Sequence, residues 1–128
     1  MATIRPFKGF RPTPELCSKV AALPYDVMTS KEAREMVKND PYSFLHVDRA
    51  EIDLPENVDI YSKEVYEKAA SNLNKMIEDK VLIQDSKPVF YIYSLTMNGR
   101  EQIGLVVCTS IDEYLNNTIK KHEFTRAD

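Results

Sequence analysis

The residues best suited to chemistry in this sequence lie close together near its carboxyl end, in the stretch IKKHEFTRAD. Lysine and arginine supply cations and hydrogen-bond donors that suit a phosphate group, and threonine adds a hydroxyl. Glu123 is the carboxylate of this basic cluster, and such a group can act as a base, a metal ligand or an orienting partner. The cluster consists of Lys120, Lys121, His122, Glu123, Thr125 and Arg126.

Two interpretations of the basic cluster stay open from residue types alone. Its composition is typical of a solvated run of charges. Its position, after a predicted strand and a short predicted helix, favours a site, because loops that follow regular elements often carry function. The second interpretation predicts that the cluster binds a small-molecule anion.

A second basic stretch lies near the amino end, where Arg5, Lys8 and Arg11 recur at a spacing of three. This spacing is not a strand period, so the three side chains need not share a face. They are either charges that protect an edge strand from aggregation or further ligands for an anion.

Asp26 and His46 are the supporting candidates. Asp26 follows a proline-tyrosine pair, where it either stabilises a turn or lines the rim of a pocket. His46 alternates with Phe44 in SFLHVDR, a pattern that predicts a half-buried, satisfied side chain. The functional alternative is that His46 joins His122 as a second imidazole.

Length and composition restrict the class of protein. A chain of 128 residues predicts one domain. The net charge of −3 makes nucleic acid an unfavoured partner, and no apolar run approaches the ~20 residues that span a membrane. The start MATIRPFKGF lacks the apolar core of a secretory signal, so we expect a cytoplasmic protein with Cys17 and Cys108 reduced.

Several known chemistries are not indicated. The two cysteines and two histidines include no close pair at zinc-ligand spacing, so no metal site is predicted from them. A P-loop and a dinucleotide fingerprint are absent, and the 3 glycines of the chain do not suffice for a glycine-rich phosphate cradle.

Sequence patterns predict several of the helices, strands and loops that must position these residues. ATIRPFKGFRPTPEL predicts an extended edge segment, because its prolines forbid a helix. KVAALPYDVM and SFLHVDR predict strands, and DRAEIDLPENVD predicts a solvated loop. A capping box of Thr29 and Glu32 opens one predicted helix, and an apolar stripe predicts another over residues 60–80 with Asp59 as its N-cap.

The stretch VFYIYSLTMNGREQIGLVVCTS predicts a β-hairpin near residues 89–109. Asn98-Gly99 is typical of a type I′ turn, and the register places Tyr93 opposite Gly104. Ser110 and Glu113 then predict a second capping box. The order of elements predicts an α+β domain with a mixed or antiparallel sheet and flanking helices.

Four motifs occur in an order that resembles the domain of unknown function 1015 family of bacteria and archaea: IRPFKGFRP, ALPYDVM, NDPYSFLHVDR and IKKHEFTRAD. Members of that family are generally much longer, so we expect this chain to be an amino-terminal fragment. The family has been likened to the ParB and sulfiredoxin superfamily, whose members bind nucleotides and include free-serine kinases. The glycine-containing arginine motif of that superfamily is not visible here.

The resemblance implies roles for the basic cluster. It implies phosphate binding by Lys120, Lys121, Thr125 and Arg126, to which Arg5 is added, and catalysis by Glu123 and His122. Mg²⁺ and a nucleotide are the implied cofactors. The function so implied is a phosphate- or nucleotide-binding part of a small-molecule phosphotransferase in serine-related metabolism. The alternative is a non-enzymatic regulatory or protein-interaction module, and a homodimer is compatible with either.

Overall fold

A computed structural model describes residues 1–121 of the chain. The helices are α1 (Cys17–Val20), α2 (Ser30–Val37), α3 (Leu45–Asp48), α4 (Lys63–Glu78) and α5 (Ile111–Leu115). The strands are β1 (Ile4–Arg5), β2 (Phe10–Pro12), β3 (Leu82–Gln84), β4 (Tyr91–Met97), β5 (Arg100–Val106) and β6 (Cys108–Thr109). One-turn 3-10 helices occupy Tyr25–Val27 and Ala50–Asp53.

These elements confirm the α+β prediction, and every strand pair is antiparallel. The strands form separate two-stranded ribbons rather than one sheet, in the pairs β1–β6, β2–β3 and β4–β5. The chain divides into a central unit, Phe10–Gln84, and a terminal unit made of Met1–Gly9 and Asp85–Asp128. The expectation of one domain for the whole chain stays a prediction.

The core of the central unit has two apolar clusters. Helix α4 contributes Met76 to the first cluster, where it packs with Val20, Val81 and Leu82. The second cluster joins α2, α3 and the 3-10 helix Ala50–Asp53 through Ala33, Val37, Leu45 and Ile52. The apolar stripe predicted over residues 60–80 therefore forms the buried face of α4.

Sequence patterns correctly predicted helices α2 and α4 of the central unit. The Thr29 hydroxyl accepts from the Glu32 N–H at 3.3 Å, and the Glu32 carboxylate accepts from the Thr29 N–H at 2.8 Å, so the predicted capping box is complete. Helix α4 is confirmed, but its N-cap is Ser62 and not Asp59. Asp59 instead accepts from the Tyr61 N–H, which is a turn contact just before the helix.

The strand predicted for SFLHVDR is wrong, because this stretch contains α3. Its alternation spans too few residues to separate a strand from one helical turn. Local hydrogen bonds are compatible with this turn: the Asp40 carboxylate accepts from the Tyr42 N–H at 3.1 Å, and the Ser43 hydroxyl accepts from the Leu45 N–H at 3.4 Å. Leu45 is then buried inside the second cluster.

Two further predictions for the central unit are corrected. KVAALPYDVM is not a strand, since its first two residues end α1 and it then holds a 3-10 turn closed by the Val27 N–H on the Pro24 carbonyl at 3.3 Å. The acidic stretch DRAEIDLPENVD is not simply a solvated loop. It contains the 3-10 helix Ala50–Asp53, in which Ala50, Glu51 and Ile52 are buried.

The hairpin of the terminal unit is confirmed in type and register. Asn98 and Gly99 both have positive φ, at 52° and 76°, as a type I′ turn requires. Tyr93 pairs directly with Gly104. Tyr93 is nevertheless largely exposed, so it is not buried against Gly104.

A close backbone approach holds the segment that follows β1. The Gly9 N–H donates to the Tyr91 hydroxyl at 2.6 Å, and that hydroxyl donates to the Asp85 carboxylate at 2.5 Å. A Cβ at position 9 would meet the Tyr91 hydroxyl oxygen at 2.8 Å, so a larger residue there would require the Tyr91 side chain to move. The Phe7 and Tyr91 rings also pack, with centroids 5.0 Å apart.

Candidate functional site

The predicted site residues fall into three groups. Arg5, Lys120 and Lys121 belong to the described part of the terminal unit. Asp26 and His46 belong to the central unit. The rest of the basic cluster lies outside the described residues, namely His122, Glu123, Thr125 and Arg126.

The β1–β6 ribbon carries Arg5 to a cleft in the terminal unit. Arg5 pairs with Cys108, and Ile4 pairs with Thr109. The cleft has a volume of about 410 Å³. Its described lining consists of Thr3, Arg5, Cys108, Thr109, Ser110 and Glu113. One cation, three hydroxyl side chains, one thiol and one carboxylate therefore face the same space.

Glu113 connects this cleft to the segment that leads into the basic cluster. Its carboxylate accepts from the Thr3 N–H at 2.7 Å and from the Thr3 hydroxyl at 2.8 Å. Its backbone N–H donates to the Ser110 hydroxyl at 3.4 Å, and its carbonyl accepts from the Ile119 N–H at 3.0 Å. The second capping box is thus half formed, because the Glu113 side chain bonds Thr3 instead of the Ser110 backbone.

Lys120 and Lys121, the described lysines of the cluster, directly follow Ile119 in the chain. Lys121 places its ammonium 4.6 Å from the centroid of the Tyr114 ring on α5, within the range of a cation–π interaction. Since α5 also holds Glu113, one short helix carries both the cleft carboxylate and the ring beneath Lys121. The predicted basic cluster therefore starts from an anchored segment.

Arg5 is the cation in the described lining of the cleft, and it has no partner among the described residues. Within residues 1–121 its guanidinium forms neither a hydrogen bond nor an ion pair. The nearby Glu113 carboxylate is already satisfied by Thr3. An exposed guanidinium beside three hydroxyl groups suits an anion such as phosphate, which accepts from both kinds of donor.

The Thr3 contacts give Glu113 a predictable acid titration. Its pKa is lowered from the usual value of 4.5, first by the Thr3 backbone N–H, then by the Thr3 hydroxyl, and further by the positive amino terminus. A depressed carboxylate pKa contributes stability above 4.5, and this contribution is lost as the pH falls through the folded-state pKa.

We expect the Thr3 amide proton resonance to follow this titration. Its chemical shift should change on acidification with a midpoint below pH 4.5, as the Glu113 carboxylate becomes protonated and the hydrogen bond weakens. A Glu113→Gln variant is the control and should show no such transition. A midpoint at or above 4.5 in the unmodified protein would contradict the contact.

Both ring nitrogens of His46 have partners within the central unit. Its Nδ1 lies 2.9 Å from Asp53 Oδ1, and its Nε2 lies 3.2 Å from the Asp40 carbonyl. The Asn72 amide donates to Asp53 at 2.8 Å and to the His46 carbonyl at 2.6 Å. Sequence reasoning did not identify Asp53 and Asn72, because they lie 7 and 26 residues from His46.

The other candidates are placed without forming a site. Asp26 is exposed in the 3-10 turn Tyr25–Val27. Arg11 lies on β2 opposite Ile83, in the central unit, whereas Lys8 belongs to the terminal unit. Both Lys8 and Arg11 have interaction partners. The three basic residues at spacing three therefore do not belong to a single unit.

The described residues do not make a metal site by themselves. Within residues 1–121 there is no group of three or more histidine, cysteine, aspartate or glutamate side chains that could hold an ion. Glu113 is the one carboxylate in the described lining of the cleft, and Thr3 occupies it. Cys17 and Cys108 are both free thiols and exposed.

The fold is that of an α+β protein with small antiparallel ribbons, and a cleft lies at the β1–β6 ribbon. Residues 4–128 match the family described as protein of unknown function (DUF1015), and the chain belongs to that family. A search of curated proteins and a search of solved structures each found no match. In the described part of the chain, no helix has the length and apolar character needed to cross a membrane.

Proposed function

We propose that the terminal unit binds the phosphate group of a small molecule through Arg5 and the basic cluster. The observation that carries this proposal is the cleft that Arg5 lines together with the hydroxyl-bearing Thr3, Thr109 and Ser110, where the guanidinium has no partner among residues 1–121. Phosphate oxygens accept hydrogen bonds from arginine in a bidentate manner and from hydroxyl groups.

The basic cluster supplies the remaining charge in this proposal. Lys121 of the cluster lies over the Tyr114 ring, and just before the cluster the Ile119 N–H donates to the Glu113 carbonyl. Thr125 and Arg126 complete the proposed phosphate ligands, together with Lys120. Several cations close together repel one another, and a bound anion offsets this repulsion. Because salt screens the attraction between the cations and the anion, affinity should fall as ionic strength rises.

A phosphotransferase is the reaction class that this site would serve. In phosphoryl transfer, a protein acts mainly by positioning the reactants and neutralising charge, which is what a set of cations beside hydroxyl donors offers. Glu123 and His122 are the proposed catalytic residues, with a nucleotide and a serine-like molecule as the proposed reactants. The likeness to the ParB and sulfiredoxin superfamily stays a prediction of the same kind.

Ligand-induced stabilisation tests the proposal directly. ATP, ADP, CTP and phosphoserine are each added while thermal unfolding is followed, and a ligand at a hundred times its dissociation constant should add about 2.7 kcal/mol. An Arg5→Gln variant should bind the active ligand at least about tenfold more weakly, because one charge-assisted contact is lost. Arg100→Gln, on the hairpin of the same unit, is the matched control and should bind normally.

Failure of all four ligands to stabilise the protein would refute phosphate binding. Equal affinity of the Arg5→Gln and Arg100→Gln variants would instead show that an anion binds away from the cleft. Both outcomes are readable without an assumption about catalysis.

The alternative is a protein-interaction module, and one observation favours it. The hairpin β4–β5 exposes apolar side chains on both faces, including Ile92 at 75%, Met97 at 70% and Ile103 at 64%. A two-stranded ribbon is marginally stable alone, so association with a second copy of this chain would cover these faces. Sedimentation at increasing protein concentration tests this alternative: a chain that stays monomeric would contradict it, whereas a dimer is compatible with either function.

A further inference from the structure

The lysines of α4 differ in whether the next turn of the helix neutralises them. Lys63 pairs with Glu67 at 2.7 Å, and Lys75 pairs with Asp79 at 2.7 Å, both at a spacing of four. Lys68 has Asn72 at the equivalent position. Within residues 1–121, Lys68 forms no ion pair and no hydrogen bond.

Asn72 is not free to partner Lys68, because its amide is committed elsewhere. It donates to the Asp53 carboxylate and to the His46 carbonyl. Asp53 in turn bonds the His46 ring, and the two side chains are only 25% and 18% exposed. His46, Asp53 and Asn72 therefore form a polar wall whose hydrogen bonds are made within the protein.

Lys68 and this polar wall line one cleft of the central unit, with a volume of about 630 Å³. The lining also includes the Lys75–Asp79 ion pair, together with Pro41, Tyr42, Met76 and Val81, which offer a ring and aliphatic surface. This volume lies within the range of roughly 300–1,000 Å³ that is typical of small-molecule sites. Lys68 is half-buried and has no ion pair among the described residues, whereas Lys75 in the same lining pairs with Asp79.

We propose that this cleft binds a small organic carboxylate with an aromatic or aliphatic body. The carboxylate pairs with the Lys68 ammonium, and the body covers Tyr42 and Met76. Neither part suffices alone: a simple anion leaves the apolar lining exposed to water, and a neutral molecule leaves Lys68 unpaired. This site belongs to the central unit and does not depend on the phosphate proposal for the terminal unit.

Indole-3-acetate is a suitable probe, because it joins one carboxylate to a planar apolar body. Titration of the full chain, followed by amide resonances in two-dimensional NMR, should shift the signals of residues around the cleft. Acetate tests the charge without the body, and indole-3-ethanol tests the body without the charge. Each should bind at least about tenfold more weakly than indole-3-acetate.

Three variants locate the contact on α4. Lys68→Gln should weaken indole-3-acetate binding about tenfold, as expected for loss of a charged partner. Lys68→Arg restores the charge and should recover most of the affinity. Lys63→Gln removes a lysine of the same helix that is 88% exposed and should leave binding unchanged.

The proposal is overturned by any of three results. The first is an absence of shifts around the cleft, and the second is equal binding of indole-3-ethanol. The third is equal affinity of the Lys68→Gln and Lys63→Gln variants. Circular dichroism of each variant shows that the helix is intact, so a loss of affinity is not confused with a loss of fold.

Discussion

Replacement of Glu51 with alanine is expected to lower the free energy of unfolding by about 3 kcal/mol. Glu51 is 5% exposed and lies in a stretch that reads as a solvated acidic loop. Its carboxylate accepts from the Ser30 hydroxyl at 2.7 Å and lies 3.4 Å from the Arg49 Nε. The Arg49 side chain is 16% exposed, and loss of the Glu51 carboxylate removes the negative charge that pairs with it.

The geometry explains why the loss is large. Arg49 donates to the Met28 carbonyl at 2.6 Å, which holds the guanidinium in place beside Glu51. Its Nε–H is buried and not aligned for a hydrogen bond, so Glu51 compensates it chiefly through charge. An unpaired buried charge costs more than the intact pair contributes, which is why removal of one partner is severe.

Urea unfolding at neutral pH measures this effect, and the chain offers a matched control. Glu56→Ala removes an exposed carboxylate from the same stretch and should change the free energy of unfolding by no more than about 0.5 kcal/mol. Glu51→Gln keeps an acceptor for Ser30 but not the charge. Its free energy of unfolding should therefore lie between those of the Glu51→Ala and Glu56→Ala variants. Equal stabilities of the Glu51→Ala and Glu56→Ala variants would show that the pair is not structural.

The second large effect is expected at the basic cluster. A Lys121→Ala/Arg126→Ala double variant should raise the dissociation constant of the phosphate ligand about a hundredfold or more, because two charge-assisted contacts are lost. The fold should stay intact, since the described contact of Lys121 is a surface interaction with the Tyr114 ring. Isothermal titration with the ligand identified by thermal stabilisation measures the constant.

A charge-matched control separates a specific site from a general field. Lys87→Ala/Arg100→Ala removes two exposed cations from the same unit and should bind within about twofold of the unmodified protein when the salt concentration is held constant. If both double variants lose affinity equally, the attraction is non-specific. If the Lys121→Ala/Arg126→Ala variant binds as the unmodified protein does, the basic cluster is a solvated run of charges.

Features that depend on contacts within a few residues were determined by the sequence itself. The Thr29–Glu32 capping box, the Asn98–Gly99 turn and the apolar face of α4 each follow from residues within one or two turns of one another. Such signals act through local hydrogen bonds and through the period of the element, so they are visible without knowledge of the fold.

Features that depend on distant partners were decided only by the tertiary structure. The Glu113 carboxylate could have closed its own capping box, yet it bonds Thr3, which is 110 residues away. Glu51 became buried because Ser30 and Arg49 satisfy it, and SFLHVDR became helical because Leu45 completes an apolar cluster. Short patterns leave several conformations close in free energy, and burial against remote residues selects among them.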